Sequence, residues 1–139
     1  MSIIYCSDGI SFQPEGKRII SRWLKMAAAK EGKKIGQLRY VFVTDEIILD
    51  LNRQYLQHDD YTDIITFDDS AQDVVSGEMY VSVDTVRSNS VLYQTEFRNE
   101  LLRVMLHGML HLCGYRDATV DEQNEMRAAE DRHLETFQF

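Results

Sequence analysis

Leu101-Leu-Arg-Val-Met-Leu-His107-Gly-Met-Leu-His111-Leu112 runs into Cys113-Gly114-Tyr115-Arg116-Asp117, and the rest of the chain arranges itself around this stretch. Up to Leu112 it is apolar nearly all round, the pattern of a helix buried at the middle of a fold and not lying on its surface. His107 and His111 stand one helical turn apart, so their imidazoles leave the same face. Two unpaired imidazoles on a buried helix are costly, and one shared metal ion offsets that cost. Gly114 can take the left-handed conformation that stops a helix and turns the chain, which returns Asp117 toward the histidines as a third ligand. Three protein ligands leave a coordination position open for water, as catalytic metal sites do.

Around this helix the sequence predicts one α+β domain over residues 1–139, with a mixed sheet of about four strands packed with about five helices. Ile3–Cys6 reads as a first strand. A helix follows over Glu15–Lys30, with Ile19, Ile20, Trp23, Leu24 and Ala27 on one stripe. Leu38–Val43 is aromatic and β-branched, hence a strand, and Thr44-Asp45 caps a helix from Glu46 to Leu56. Ile64–Phe67 and Met79–Val83 read as two further strands joined by the acidic segment 68–73. Asp84–Tyr93 reads as a helix, and Thr95-Glu96 opens the buried helix. Thr119 with Glu122 is a capping box for a last helix whose apolar face holds Met126, Ala129 and Leu134; His133 is expected to be solvated there. Cys113 falls on the far side of its helix from the histidine pair and is expected to be a buried thiol, not a ligand.

Net charge is −8, which argues against a protein that coats nucleic acid indiscriminately. Eight of the basic residues nevertheless fall within 15–40, against only Glu15 and Glu31. Arg18, Arg22 and Lys25 share one face of the first helix, a candidate surface for guiding an anionic polymer and equally a plain solvated face. No stretch is apolar enough to span a membrane, and the N-terminus lacks a secretory pattern, so the expected location is cytoplasmic with no membrane partner. Cys6 and Cys113 make no disulfide framework.

The run His107-Gly-x-Leu-His111-Leu-x-Gly114-Tyr115 resembles the signature of the bacterial YbeY family, ribosomal RNA maturation factors described as metal-dependent single-strand endoribonucleases. Leu51-Asn52-Arg53-Gln54-Tyr55, the block Thr62-Asp63-Ile64-Ile65-Thr66-Phe67 and Gly77-Glu78-Met79 resemble further blocks of that family in the same order. The resemblance implies an endoribonuclease holding one divalent metal ion per chain, with zinc expected. Single-stranded RNA, ribosomal RNA above all, is the implied substrate, and the small ribosomal subunit with its assembly factors the implied partners. Carried over by position, the ligands are His107, His111 and Asp117. The family has a third histidine where this chain has Asp117, a replacement that hardens the site and makes manganese more competitive with zinc. The family also has an arginine where this chain has Leu56. Arg53, one turn earlier, and His58 are the candidate cations for stabilising charge on a phosphate. Asp63 is expected to form the turn or support the site, not to act as general base.

Two rival readings remain at this point. His-x3-His-x2-Gly-x2-Asp has the ligand spacing of metzincin-type metalloproteases, but Gly108 stands where those enzymes carry the glutamate that activates water. A non-catalytic ribosome-assembly module with a structural metal is the other.

Overall fold

A computed structural model of the chain describes residues 2–55 and 62–138. The elements are β1 (Ser2–Ser7), α1 (Lys17–Lys30), β2 (Lys34–Val43), α2 (Asp45–Tyr55), β3 (Ile64–Asp68), β4 (Val74–Ser82), α3 (Val83–Leu92), α4 (Phe97–Leu112) and α5 (Val120–Leu134). One sheet has the order β1-β2-β4-β3, with β1, β2 and β4 parallel and β3 antiparallel to β4. The expected α+β class with four strands and five helices is therefore what the described residues form.

Side-chain alternation along β2 divides the core in two. Leu38, Tyr40 and Phe42 point to one face, where Met79 and Val81 of β4 join Leu101, Met105, Leu106 and Met109 of α4 and Ile20, Leu24 and Ala28 of α1. Val41 and Val43 point to the other, where they meet Ile65 of β3 and Ile48 of α2. Because the centre of the sheet is covered on both faces, Tyr40–Val43 is apolar throughout instead of alternating. The buried Tyr40 hydroxyl donates to the Met105 carbonyl at 2.8 Å, which pins α4 to the sheet.

Two strands begin earlier than their hydrophobic pattern suggests. β4 starts at Val74 and β2 at Lys34, since Lys34 and Ile35 pair with Val74 and Val75, two short stretches whose β-branched residues are cut off from the main apolar runs by Gly36-Gln37 and Ser76-Gly77-Glu78. Gly77 belongs to this hidden part: a β-carbon there would run into the Phe67 carbonyl and the Leu112 side chain. The first helix begins at Lys17, after Gly16 in a left-handed conformation (φ 75°).

α5 carries the predicted capping box, with Thr119 Oγ1 accepting from the Glu122 amide at 3.1 Å and the Glu122 carboxylate accepting from the Thr119 amide at 3.0 Å. Its inner face is wider than read from the sequence. Met126, Ala129, Glu130 and His133 are all buried, at i, i+3, i+4 and i+7. His133 is thus not solvated: it is 2 % exposed, its Nε2 is 2.7 Å from Glu31 Oε2, and its carbonyl accepts from the Trp23 indole. The helix must bury this face against α1 and α4, so the histidine goes inward and finds a carboxylate there.

Candidate metal centre

α4 positions the first two candidate ligands and its termination positions the third. The helix ends at Leu112, and the amides of Gly114 and Tyr115 return to the carbonyls of His111 (3.0 Å) and Leu110 (3.1 Å). Gly114 has φ +112°, a conformation that glycine adopts without cost, and the chain doubles back over the helix end. This brings Asp117 Oδ2 to 3.4 Å from both His107 Nε2 and His111 Nε2. Side-chain ligand atoms of all three residues lie within 4.8 Å of one another.

The donor set fits a small divalent cation. At 3.4 Å neither histidine makes a good hydrogen bond to Asp117. Two ligands each about 2.05 Å from a common ion, at a tetrahedral angle, stand roughly 3.4 Å apart. Both imidazoles also have the tautomer that ligation requires. His111 Nδ1 is 2.9 Å from the Tyr115 carbonyl, an acceptor only, so Nδ1 carries the hydrogen and in the neutral ring Nε2 holds the lone pair. His107 Nδ1 is 2.6 Å from Glu130 Oε2, with the same result.

Glu130 was not among the residues singled out from the sequence. It is buried, and its other oxygen accepts from Arg103 at 2.7 Å; Arg103 also reaches Asp131 at 2.6 Å. Burial pushes the Glu130 carboxyl up, but the bonds from His107 and Arg103 outweigh it and leave the group below the usual range. Burial works against a charged His107, yet the bond and charge of Glu130, with Asp63 and Asp117 nearby, leave that imidazole more basic than usual. A signal was present: Arg103 precedes His107 by one turn, and Glu130 lies on the α5 stripe that carries Met126 and Ala129.

The Tyr115 carbonyl that orients His111 is itself held from a distance. The Tyr115 hydroxyl donates to Glu31 Oε1 at 2.9 Å, and Glu31 also receives His133 (2.7 Å) and Arg132 (3.4 Å). Burial raises the Glu31 carboxyl, and these partners reverse that to a net lowering. Asp63 faces the site from the start of β3. Burial lifts its carboxyl above the usual range, against the nearby His107 and bonds from its own amide and that of Ile64.

The candidate ligands open onto two clefts: His107 and Asp117, with Asp63, line both, and His111 lines one of them. One cleft runs along β3, past Thr66 and Asp68. The other opens between α3, α4 and α5, past Asn89, Tyr93 and Arg127. Arg18, Arg22 and Lys25 line neither cleft; they are exposed along a separate groove between α1 and β1, with Tyr5 and Ser21. Arg53 is exposed on the last turn of α2 and lines neither cleft either. His58 and Leu56 lie outside the described residues.

Two smaller expectations are settled by packing. Cys113 stays away from the ligand cluster, with its thiol 3.4 Å from Met109 Sδ and its pKa pushed up to about 11 by burial. Gly108 faces the sheet, where a β-carbon would sit 2.7 Å from Ile64 Cδ1 and 2.8 Å from Met79 Sδ. Position 108 therefore cannot present a metalloprotease glutamate to the histidines.

The family model described as endoribonuclease YbeY matches residues 6–138. Proteins named endoribonuclease YbeY are 44% identical in Bacteroides thetaiotaomicron (96% of this chain, 98% of the relative) and 45% identical in Parabacteroides distasonis (96% and 94%). The namesake in Bacteroides fragilis is 46% identical over 96% of both chains. A solution structure of a Thermotoga maritima protein is similar with a TM-score of 0.68 at 28% identity, covering 96% of this chain and 87% of that one. Sequence, fold and the gathered His107, His111 and Asp117 agree, and the chain belongs to the endoribonuclease YbeY family.

Proposed function

We propose that residues 1–139 form one metal-dependent hydrolase domain that cuts phosphodiester bonds within single-stranded RNA during ribosomal RNA maturation. The observation that carries this reading is the convergence of His107 Nε2, His111 Nε2 and Asp117 Oδ2 on an open cleft along β3, with His107 and Asp117 also lining a second cleft. The relatives' printed name supports RNA as the substrate. One divalent ion per chain is the proposed cofactor. Two imidazoles and a carboxylate suit zinc, and the carboxylate leaves manganese as its competitor.

A divalent ion held there supplies a Lewis acid for a phosphoryl oxygen and lowers the pKa of a bound water. The protein's own part is orientation. Glu130 and the Tyr115 carbonyl hold both imidazoles with Nε2 facing the cleft, so no tautomer change precedes binding. Asp117 adds negative charge at an exposed edge that a strand can reach. Arg53 and His58 are assigned, on sequence position, to contact a substrate phosphate; Arg18, Arg22 and Lys25 are assigned to guide more distant backbone. The proposed setting is the cytoplasm, with the small ribosomal subunit and its assembly factors as partners. No helix among the described residues is long and apolar enough to cross a membrane.

Metal analysis of the purified protein, together with cleavage of single-stranded against duplex RNA, tests the proposal. One equivalent of zinc or manganese and single-strand cleavage that His111→Ala abolishes are expected. Arg53→Ala and His58→Ala should each be assayed for lowered cleavage at unchanged metal content. A metal-loaded protein that binds ribosomal subunits but cuts no RNA would make it an assembly module instead.

A further inference from the structure

The cleft between α3, α4 and α5 is unlike the one along β3. Along β3 the charged groups other than the histidines are Asp63, Asp68 and Asp117, with no lysine or arginine among the described lining residues. Between the helices the walls also hold carboxylates, Asp63, Glu100, Asp117 and Glu130, but add two arginines, Tyr93, Asn89 and Asn124, around a space of about 450 Å³ that His107 also lines. That volume lies in the usual range for a site that encloses a small organic group.

Its two arginines are differently employed. Arg103 is committed to Glu130 and Asp131. Arg127 is exposed and makes no hydrogen bond or ion pair among the described residues, and its charge is a minor influence on Glu100. Tyr93 is 59 % exposed. It ends α3 with its amide bonded to the Asn89 carbonyl at 2.8 Å, and Gln94 at φ 57° then turns the chain toward α4. The turn keeps the Tyr93 ring out of the core, while Val86 and Ser90 of the same helix are buried. An exposed aromatic face, an uncommitted guanidinium and side-chain amides beside a hydrolytic centre are the components of a nucleotide subsite.

We propose that this cleft binds one nucleotide of the RNA strand next to the scissile phosphate, its base stacked on Tyr93, its far phosphate taken by Arg127, and Asn89 and Asn124 facing the base edge. The proposal rests on the RNA-cleaving reading above and adds a substrate subsite to it. Stacking on an aromatic ring tolerates any base, which suits an enzyme selecting single strands over duplex, where bases are already stacked on one another.

The test uses zinc-loaded protein and a cleavage-resistant 2′-O-methyl single strand carrying 2-aminopurine at one position per oligonucleotide. One position should be quenched on binding in the wild type and in Tyr93→Phe but not in Tyr93→Ala. Tyr93→Ala should weaken binding about 5- to 150-fold, the range for losing one stacked base. On cleavable RNA its KM should rise in step while kcat stays near wild type. Arg127→Gln should reduce the slope of log affinity against log salt by about 0.7. Unchanged affinity and KM in both variants of a protein that binds and cuts RNA would overturn the subsite alone. So would a loss in Tyr93→Phe equal to that in Tyr93→Ala, or selective loss of a protein partner with RNA binding intact. Wild-type protein that neither binds nor cuts single strands would overturn the RNA reading and the subsite with it.

Discussion

Removing the Glu130 carboxylate should weaken metal binding without touching a ligand. Glu130 is 4 % exposed and accepts at 2.6 Å from His107 Nδ1, so it both fixes the ring and makes Nε2 a better donor. Glu130→Gln keeps the volume and can leave its amide oxygen for the Nδ1 hydrogen, its NH2 then displacing Arg103, which keeps Asp131. The loss is then the difference between a charge-assisted and a neutral hydrogen bond, about 1 kcal/mol, or roughly fivefold in affinity. Glu130→Ala leaves the Nδ1 hydrogen without its partner and frees Arg103 from its inner anchor. The expected loss is on the order of 100-fold, the upper end for a residue supporting a metal ligand and about 2.8 kcal/mol. Asp131→Asn serves as the control, since it disturbs only the exposed partner of Arg103. Zinc affinity is measured by competition with a chromophoric chelator, and far-ultraviolet circular dichroism checks that each variant is folded. Wild-type affinity in Glu130→Ala, or an equal loss in Asp131→Asn, would refute the reasoning.

Reversing Arg18, Arg22 and Lys25 to glutamate should lower single-strand RNA affinity and flatten its salt dependence while zinc content stays at the wild-type value; unaltered binding returns the groove to ordinary solvated surface. Glu31 has a depressed folded pKa, so its contribution to stability is fully present above its unfolded value near pH 4.3 and is lost as pH falls through the lower folded one. Glu31→Gln should therefore lower Tm at neutral pH, with the gap from wild type closing in acid; a constant gap would contradict this. With its pKa near 11, Cys113 in a Cys6→Ser background should react with a thiol reagent at pH 8 roughly two orders of magnitude more slowly than an ordinary cysteine, and rapid labelling would show the thiol is not buried as described.

Local rules were sufficient for much of this molecule. The apolar run Leu101–Leu112, the helical-turn spacing of His107 and His111, the glycine at 114 and the capping box at Thr119 each depend on residues within a turn or two, so they can be read without knowing the fold. The same locality explains why α1 and α2 were legible as amphipathic helices and why Cys113 could be set apart from the ligands. Where pairing partners were distant, the reading fell short. The first residues of β2 and β4 are strands because they bond each other across 40 residues of sequence, as Lys34 does Val74. Arg18, Arg22 and Lys25 share a helix face in the sequence, but only the packing of α1 on β1 puts that face on a groove apart from the ligand cluster. Glu130 was not singled out from the sequence and His133 was expected to be solvated, until α5 docked on α4 and α1 and made each the partner of a distant group, His107 and Glu31. The sequence by itself thus determined which residues can ligate an ion. Tertiary structure decided which carboxylates and carbonyls orient them, because a buried polar group takes whatever partner the docking of whole elements brings within hydrogen-bond reach.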